Sequence, residues 1–225
     1  MFVSVIMSTF NKENTLIDSI NSILNQSFSN FEFLILDDFS EDSTYEILNE
    51  FQKKDERIKI FRNNQNNGLT KSLNFLIKKS SGNFIARQDD DDISRPSRLE
   101  KQLDSMEELN YNICTTRAVI KGTDKLIPGL SFYLPPKYLI LYKNPFIHGT
   151  LLIEKETLLK YNSYNEKFKY AQDYELFIRL INNGEKILKI NEVLYELNIK
   201  NNISQNFKEQ QKIYAKLAKK NIKYI

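Results

Sequence analysis

Four aspartates stand in a row, Asp89 to Asp92, in the stretch RQDDDDISRP directly behind the apolar Phe84-Ile85-Ala86. Like charges crowded at the end of a buried strand repel one another unless a cation shares them. In an extended segment alternate side chains lie on one face, so Asp89 and Asp91 would point together. A divalent cation between them and two phosphates would offset their repulsion. The run also fits a solvated acidic turn, as charge runs in general do, but its place behind a buried strand favours the cation site. Two further polar clusters sit in equivalent places, Thr9-Phe10-Asn11 behind Val3 to Met7 and Asp37-Asp38 behind Phe33 to Leu36. In open α/β sheets ligands bind beyond the carboxyl ends of the strands, so the three clusters point to one shared site. The chain has neither GxGxxG nor GxxxxGK[ST], so a bound diphosphate lacks the usual glycine cradle and needs another source of positive charge.

The elements that must carry these clusters are visible as apolar runs alternating with helical periodicity, the pattern of an α/β fold with a largely parallel sheet. Val3 to Met7 reads as the first strand, and Leu16, Ile17, Ile20, Ile23 and Leu24 line one face of a helix. Phe33 to Leu36 is the second strand. Tyr45, Ile47, Leu48 and Phe51 mark a second helix, Ile58 and Ile60 a strand, and Leu69, Leu73, Leu76 and Ile77 a third helix behind Gly68. Ser94 and Pro96 suit the start of a helix continued by Leu99, Leu103 and Met106. From Tyr111 to Tyr142 the pattern is mixed. A strand is expected from Thr150 to Ile153 and a helix from Asp173 to Asn183, closed by Gly184.

The 225 residues suit one domain or two joined halves with a sizeable core. With 32 basic against 29 acidic residues the net charge is only +3, so no nucleic-acid partner is expected. Cys114 stands alone, which excludes a disulfide within the chain and zinc-finger spacing, and fits a reducing compartment. Met1 to Met7 is apolar but has no basic flank and is soon interrupted, so it reads as a strand and not as a signal peptide.

The segments VSVIMSTFNKENTLIDSINSILNQSF, FEFLILDDFSEDST, NNGLTKSLN, GNFIARQDDDDISRPSRLEKQ and AQDYELFIRL follow in this order over most of the chain. As an ordered set they resemble glycosyltransferase family 2, whose members have the nucleotide-diphospho-sugar GT-A fold, a Rossmann-like three-layer α/β/α arrangement with a mostly parallel central sheet. The resemblance implies one GT-A domain over 1–225, with a nucleotide-sugar-binding half (1–92) and an acceptor half (93–225). It implies that Thr9 and Asp38 hold the nucleotide base with Asp37 close by. It also makes Asp89 to Asp91 the Asp-x-Asp motif, with Asp89 near the ribose, Asp90 in the donor site and Asp91 the ligand of Mn2+ or Mg2+. Asp173 becomes the catalytic base of an inverting displacement. The chain departs from the family pattern in having Ser8 for Pro, Asp90 for a small residue and Gln172 for Glu. A carboxylate at Asp38 that accepts an imide N–H favours a uridine diphosphate sugar as donor. The absence of Trp excludes Gln-x-x-Arg-Trp, and no apolar run nears about 20 residues, so a single-sugar transferase is expected over a processive membrane synthase. The expected acceptor is a glycan or lipid-linked saccharide, and the expected location is cytoplasmic, with peripheral contact at an anionic membrane.

Other readings stand beside these. Asp173 also suits a helix cap. His148 could be structural, an acceptor contact or a metal ligand. Lys71, Arg95 and Arg98 could meet a diphosphate, with Lys71 the one carried forward, or lie on exposed helix faces. Asp89, Asp91 and Glu100 occupy positions of an EF-hand-like loop, but Ile93 and Ser94 stand where a ligand and a glycine are required. A non-catalytic nucleotide-sugar binder with a degenerate acceptor half is the other alternative. Near the C-terminus Phe207, Tyr214, Leu217, Ala218 and Ile225 recur at helical spacing among Lys208, Lys212, Lys216, Lys219, Lys220 and Lys223, which reads as a basic amphipathic helix. Such a helix either packs on the domain or docks on an anionic surface.

Overall fold

The computed structural model describes residues 1–199 and 207–222. Its first part alternates strand and helix through β1 (Val3–Thr9), α1 (Leu16–Leu24), β2 (Phe31–Asp37), α2 (Thr44–Lys54), β3 (Ile58–Arg62), α3 (Leu69–Lys79) and β4 (Phe84–Arg87). The four strands run parallel in the order β3-β2-β1-β4. Both β1 and β2 are buried along their full length, which is why they read as unbroken apolar runs.

The second part holds β5 (Ile93–Ser94), α4 (Arg98–Leu109), β6 (Ile113–Ile120), β7 (Leu126–Ile127), α5 (Pro136–Leu139), β8 (Leu152–Glu154), α6 (Lys155–Lys160), α7 (Gln172–Asn182), β9 (Leu188–Leu197) and α8 (Lys208–Lys219). The short β8 joins the halves, pairing antiparallel with β4 on one side and β6 on the other. Parallel pairing resumes between β6 and β9, and β5 closes the far edge against β9.

Strand alternation gives the sheet two apolar faces and hence three layers. Val3, Val5 and Met7 pack with α1, Leu48 of α2 and Leu99, Leu103 and Met106 of α4. On the other face Ile6, Leu34 and Leu36 meet Leu73, Leu76 and Ile77 of α3 and the apolar face of α7. The helix expected at Ser94 begins instead at Arg98, because Ile93 and Ser94 pair with Glu196 and Tyr195. The strand expected from Thr150 is one turn of 3-10 helix over 148–150 followed by β8. Two long strands are not expected from the sequence, one inside the mixed segment and one after Gly184. In β6 Thr115, Thr116 and Arg117 break the apolar run, and in β9 charged residues do. The C-terminal helix forms, with Lys223 and Ile225 outside the described residues.

Candidate active site

The loop after β1 and the loop after β2 are tied into one rim. Asn11 N–H donates to Ser40 Oγ at 2.9 Å, and Asn11 Oδ1 accepts from the Glu41 amide at 2.9 Å. Lys12 N–H donates to Thr44 Oγ1 at 2.8 Å, and Glu13 accepts from Ser43 N–H at 3.0 Å. Asn11 and Phe39 hold left-handed backbone at φ 52° and 71°, a conformation that costs side-chain-bearing residues about 1–3 kcal/mol and persists where neighbours fix it. The rings of Phe10 and Phe39 stay exposed at this rim, beside Thr9 and Asp38. In the sequence Phe10 is visible only as the middle of the Thr9-Phe10-Asn11 cluster, and Phe39 as a loop hydrophobe.

The acidic stretch is a turn and not an extended segment: Asp90 and Asp91 form it, and Asp92 N–H reaches back to the Asp89 carbonyl at 3.4 Å. Alternation therefore does not apply, and Asp89 and Asp91 part company. Asp89 Oδ1 pairs with the buried Arg87 Nη2 at 2.5 Å. Asp90 and Asp91 turn together to Lys12, whose Nζ lies 3.6 Å from Asp90 Oδ1 and 2.5 Å from Asp91 Oδ2. Burial pushes the Asp90 carboxyl up to about 6 although Lys12 opposes it, and Asp91 and Asp89 add to the rise. Asp91 moves the same way, again chiefly through burial. Burial would lower the Lys12 ammonium, but the two carboxylates outweigh it and hold the proton more tightly. Asp92 points away, its Oδ1 accepting from the Asn198 amide at 2.6 Å.

The turn is braced from behind by Arg98, which is completely buried and is not a diphosphate contact. Its guanidinium donates to Gln88 Oε1 at 3.1 Å, Ser94 Oγ at 2.7 Å, the Arg87 carbonyl at 2.7 Å and Gln102 Oε1 at 3.0 Å. Arg95 is exposed and paired with Glu196 at 3.6 Å. Glu100 accepts from Ser27 Oγ at 2.6 Å on α4, so it does not join Asp89 and Asp91 in an EF-hand-like loop.

Thr9 Oγ1 is buried and has no well-formed hydrogen bond among the described residues, although it lies close enough to help restrain the Asp90 proton affinity. Asp37 is buried against Arg62 Nε at 3.0 Å and accepts from the Ser40 amide at 3.1 Å. Asp38 holds the loop leading to α3. Its Oδ1 accepts from Asn63 Nδ2 at 2.7 Å and Asn67 N–H at 2.9 Å, and its Oδ2 from Gly68 N–H at 2.7 Å. Gly68, at φ 85°, is the turn that makes this last approach possible. Lys71 is exposed in the first turn of α3.

Asp173 lies within α7, not at its cap, which is Ala171 in left-handed backbone at φ 52° and without a side-chain cap bond. The half-buried carboxylate accepts one hydrogen bond, from Asn144 Nδ2 at 2.7 Å. Beside it His148 Nε2 and Tyr164 Oη are 2.7 Å apart. The imidazole is held below its usual range by burial and then by Arg87, while Asp173 and Asp89 pull the other way. His148 thus sits within electrostatic reach of the acidic turn and of Asp173 at once. Gly149 permits this closeness. A side-chain carbon there would come within 2.7 Å of both Asp89 Oδ2 and the Tyr195 ring, and Tyr195 Oη accepts from the Asp89 amide at 3.1 Å.

Among the described residues no three His, Cys, Asp or Glu side chains converge on one point. What the chain offers a divalent cation is the Asp90 and Asp91 pair, already gathered on one ammonium. That donor set suits Mn2+ or Mg2+, which bind through one or two carboxylates with substrate phosphates completing the shell.

A mixed α/β sheet with this cluster at its strand ends is the arrangement of a GT-A glycosyltransferase. The same fold occurs in residues 1–349 of TarS from Staphylococcus aureus in complex with UDP-GlcNAc, with a TM-score of 0.79, 21% identity and coverage of 100% of this chain and 68% of that one. It occurs also in a mannosyltransferase from Pyrobaculum calidifontis in complex with GDP-Man and Mn2+, with a TM-score of 0.73, 15% identity and coverage of 93% and 60%. The family model for glycosyl transferase family 2 matches residues 4–172, and the chain belongs to that family. An O-antigen biosynthesis glycosyltransferase of Escherichia coli is 32% identical over 211 residues, 90% of this chain and 82% of the relative. A UDP-Glc:α-D-GlcNAc-diphosphoundecaprenol β-1,3-glucosyltransferase of Escherichia coli is 34% identical over 181 residues, 80% and 69% of the two chains. Among the described residues no helix is long and apolar enough to cross a membrane.

Proposed function

We propose that this glycosyltransferase moves one sugar from a uridine diphosphate sugar to a hydroxyl of a glycan or lipid-linked saccharide, with inversion at the anomeric carbon. The observation that carries the reading is the loop 144–149, whose Asn144 donates to Asp173 at 2.7 Å and whose Gly149 packs against Asp89 Oδ2. One short loop thus touches both the acidic turn and the lone carboxylate, which suits a donor diphosphate and an acceptor hydroxyl meeting there. Residues 1–92 form the donor half and residues 93–225 the acceptor half.

In the donor half Thr9 offers an unpaired hydroxyl, and Asp38 has acceptor capacity beyond the three donors it holds, since a carboxylate offers about four lone-pair sites. Both suit the polar edge of uracil, with Asp37 and Arg62 fixing the backbone beneath and the exposed Phe10 and Phe39 rings offering stacking faces. Lys71 would reach a phosphate, and Asp89 would meet the ribose. Asp91, with Asp90 beside it, would hold Mn2+ or Mg2+, whose chemistry when bound is to neutralise charge on the departing diphosphate. In the acceptor half Asp173 takes the proton of the acceptor hydroxyl while that oxygen bonds to the anomeric carbon. The bond to the diphosphate oxygen breaks and its electron pair leaves with the nucleotide. Asn144 holds the Asp173 carboxylate in place for that transfer. The O-antigen and diphosphoundecaprenol relatives support a glycan or lipid-linked acceptor, and a lipid-linked acceptor fits a peripheral place at a membrane.

A thermal-shift panel of UDP, GDP and CDP with and without Mn2+ tests the donor assignment, because a ligand bound by the folded state raises apparent stability. The largest rise is expected with UDP and Mn2+ together. Equal shifts for the three nucleotides would overturn the uracil assignment, and no shift with any of them would overturn the donor site itself.

A further inference from the structure

The segment 130–143, LSFYLPPKYLILYK, contains no acidic residue. It folds as a 3-10 turn, a proline step and the single turn of α5, a frame too short to bury its own side chains. Phe132 and Ile140 point inward, but Leu130 is 89% exposed, Tyr142 76%, Tyr133 65%, Tyr138 57% and Leu134 52%. Large apolar groups so concentrated on a surface mark a contact site. Lys137 and Lys143 stand exposed among them.

A second element completes the surface. The helix α8 packs Tyr214, Ala215 and Ala218 against the core, so that part of its apolar stripe serves the fold. Ile213 and Leu217 remain exposed at 57% and 42%, in one face with Lys216 and Lys220. Lys219 Nζ donates to the Tyr142 carbonyl at 2.6 Å, which joins this helix to the end of segment 130–143. The same segment is anchored to the catalytic helix. Tyr174 Oη of α7 donates to the Ile140 carbonyl, and the next residue after Lys143 is Asn144, the partner of Asp173.

We propose that segment 130–143 and the outer face of α8 together form a docking surface for an anionic lipid bilayer, set so that Asp173 opens close to the headgroup plane. Tyrosine, with an apolar ring and a polar tip, suits the boundary between acyl chains and water, and lysine beside it is attracted to acidic headgroups. The inference deepens the acceptor reading above, since a saccharide carried on a lipid presents its hydroxyl at that plane.

Cosedimentation of the full chain with phosphatidylglycerol-containing vesicles and with pure phosphatidylcholine vesicles, at low and high salt, tests it. Binding to the anionic vesicles is expected, weakened by salt. A Leu130→Ser/Tyr138→Ser variant and a Lys216→Glu/Lys220→Glu variant are each expected to bind about tenfold less tightly or worse. Each variant should keep the wild-type thermal shift with UDP, which shows folding and donor binding intact. Absence of wild-type binding, or variants that bind as the wild type does, would overturn the proposal. So would a dimer in sedimentation velocity that these substitutions dissociate, because the surface would then belong to a second copy. Vesicle binding in a protein that shows no shift with any nucleotide would instead leave the docking surface standing and remove the donor assignment.

Discussion

Lys12 Nζ lies 2.5 Å from Asp91 Oδ2, across 79 residues of sequence, and the same ammonium reaches Asp90. The two carboxylates proposed to hold a divalent cation are thus held by one of the chain's own cations. The lysine and a metal ion would compete for the same oxygens, and the lysine keeps the turn from repelling itself apart when no metal is bound.

Lys12→Met should therefore lower stability in the absence of metal by about 1–3 kcal/mol, a fall of several degrees in Tm, because two part-buried carboxylates lose their counter-charge. Addition of Mn2+ with UDP should raise the Tm of this variant by more than it raises that of the wild type. Thermal denaturation with and without the pair measures both effects. An unchanged metal-free Tm would mean that the ion pair contributes nothing to holding the turn.

Asp173→Asn should reduce turnover by about 100-fold to 10,000-fold with donor affinity intact, since an amide keeps the shape but cannot accept the hydroxyl proton. Asn144→Ala acts through Asp173 and should lower kcat less, with KM for the donor unchanged. Initial rates of UDP release across donor and acceptor concentrations separate the two. A wild-type kcat for Asp173→Asn would return this residue to a structural role.

How much of this was legible depended on the distance over which each residue finds its partner. The strands β1, β2 and β4 are buried on both faces, so their apolar runs marked the sheet and placed Thr9, Asp37, Asp38 and the acidic run at its carboxyl edge. Lys12 is not legible as part of the site, because a lysine ahead of an amphipathic helix looks like any solvated one, and its partner lies in another loop. Arg98 suggested a phosphate contact, yet it is spent on Gln88, Ser94, Gln102 and the Arg87 carbonyl, a set that forms only when α4 folds back on the turn. The interruptions in β6 and β9 hid two strands whose pairing with each other supplies what their own pattern lacks.

Gly149→Ala should destabilise the fold and the site together. The added methyl would enter the space of Asp89 Oδ2 and the Tyr195 ring, and overpacking of this kind costs about 1–3 kcal/mol. Because Asp89 and Tyr195 are among the groups displaced, the shift in Tm with UDP should shrink beyond what the lower baseline explains. Urea midpoints and UDP titrations of the variant check both parts. Wild-type values for the two measurements would show that the loop yields without cost.

Acid stability should rest in part on Glu32, far from the cleft. Burial alone would raise its carboxyl, but hydrogen bonds from Lys59, Ser4 and Ser81 prevail and bring it down to about 2. A depressed folded value means that the stabilisation is fully present above the unfolded value near 4.5 and is lost as the pH falls from there towards about 2. Glu32→Gln removes the titration and leaves Lys59 without its 2.7 Å partner, so the variant should be less stable than the wild type at neutral pH. The difference should narrow below pH 4.5, as the unfolded wild-type chain takes up a proton there that the folded carboxylate does not yet accept. Urea midpoints for the two proteins at pH 7, 4.5 and 3 measure the gap, and a gap that stays constant over that range would show that Lys59, Ser4 and Ser81 do not hold the Glu32 carboxyl below its unfolded value.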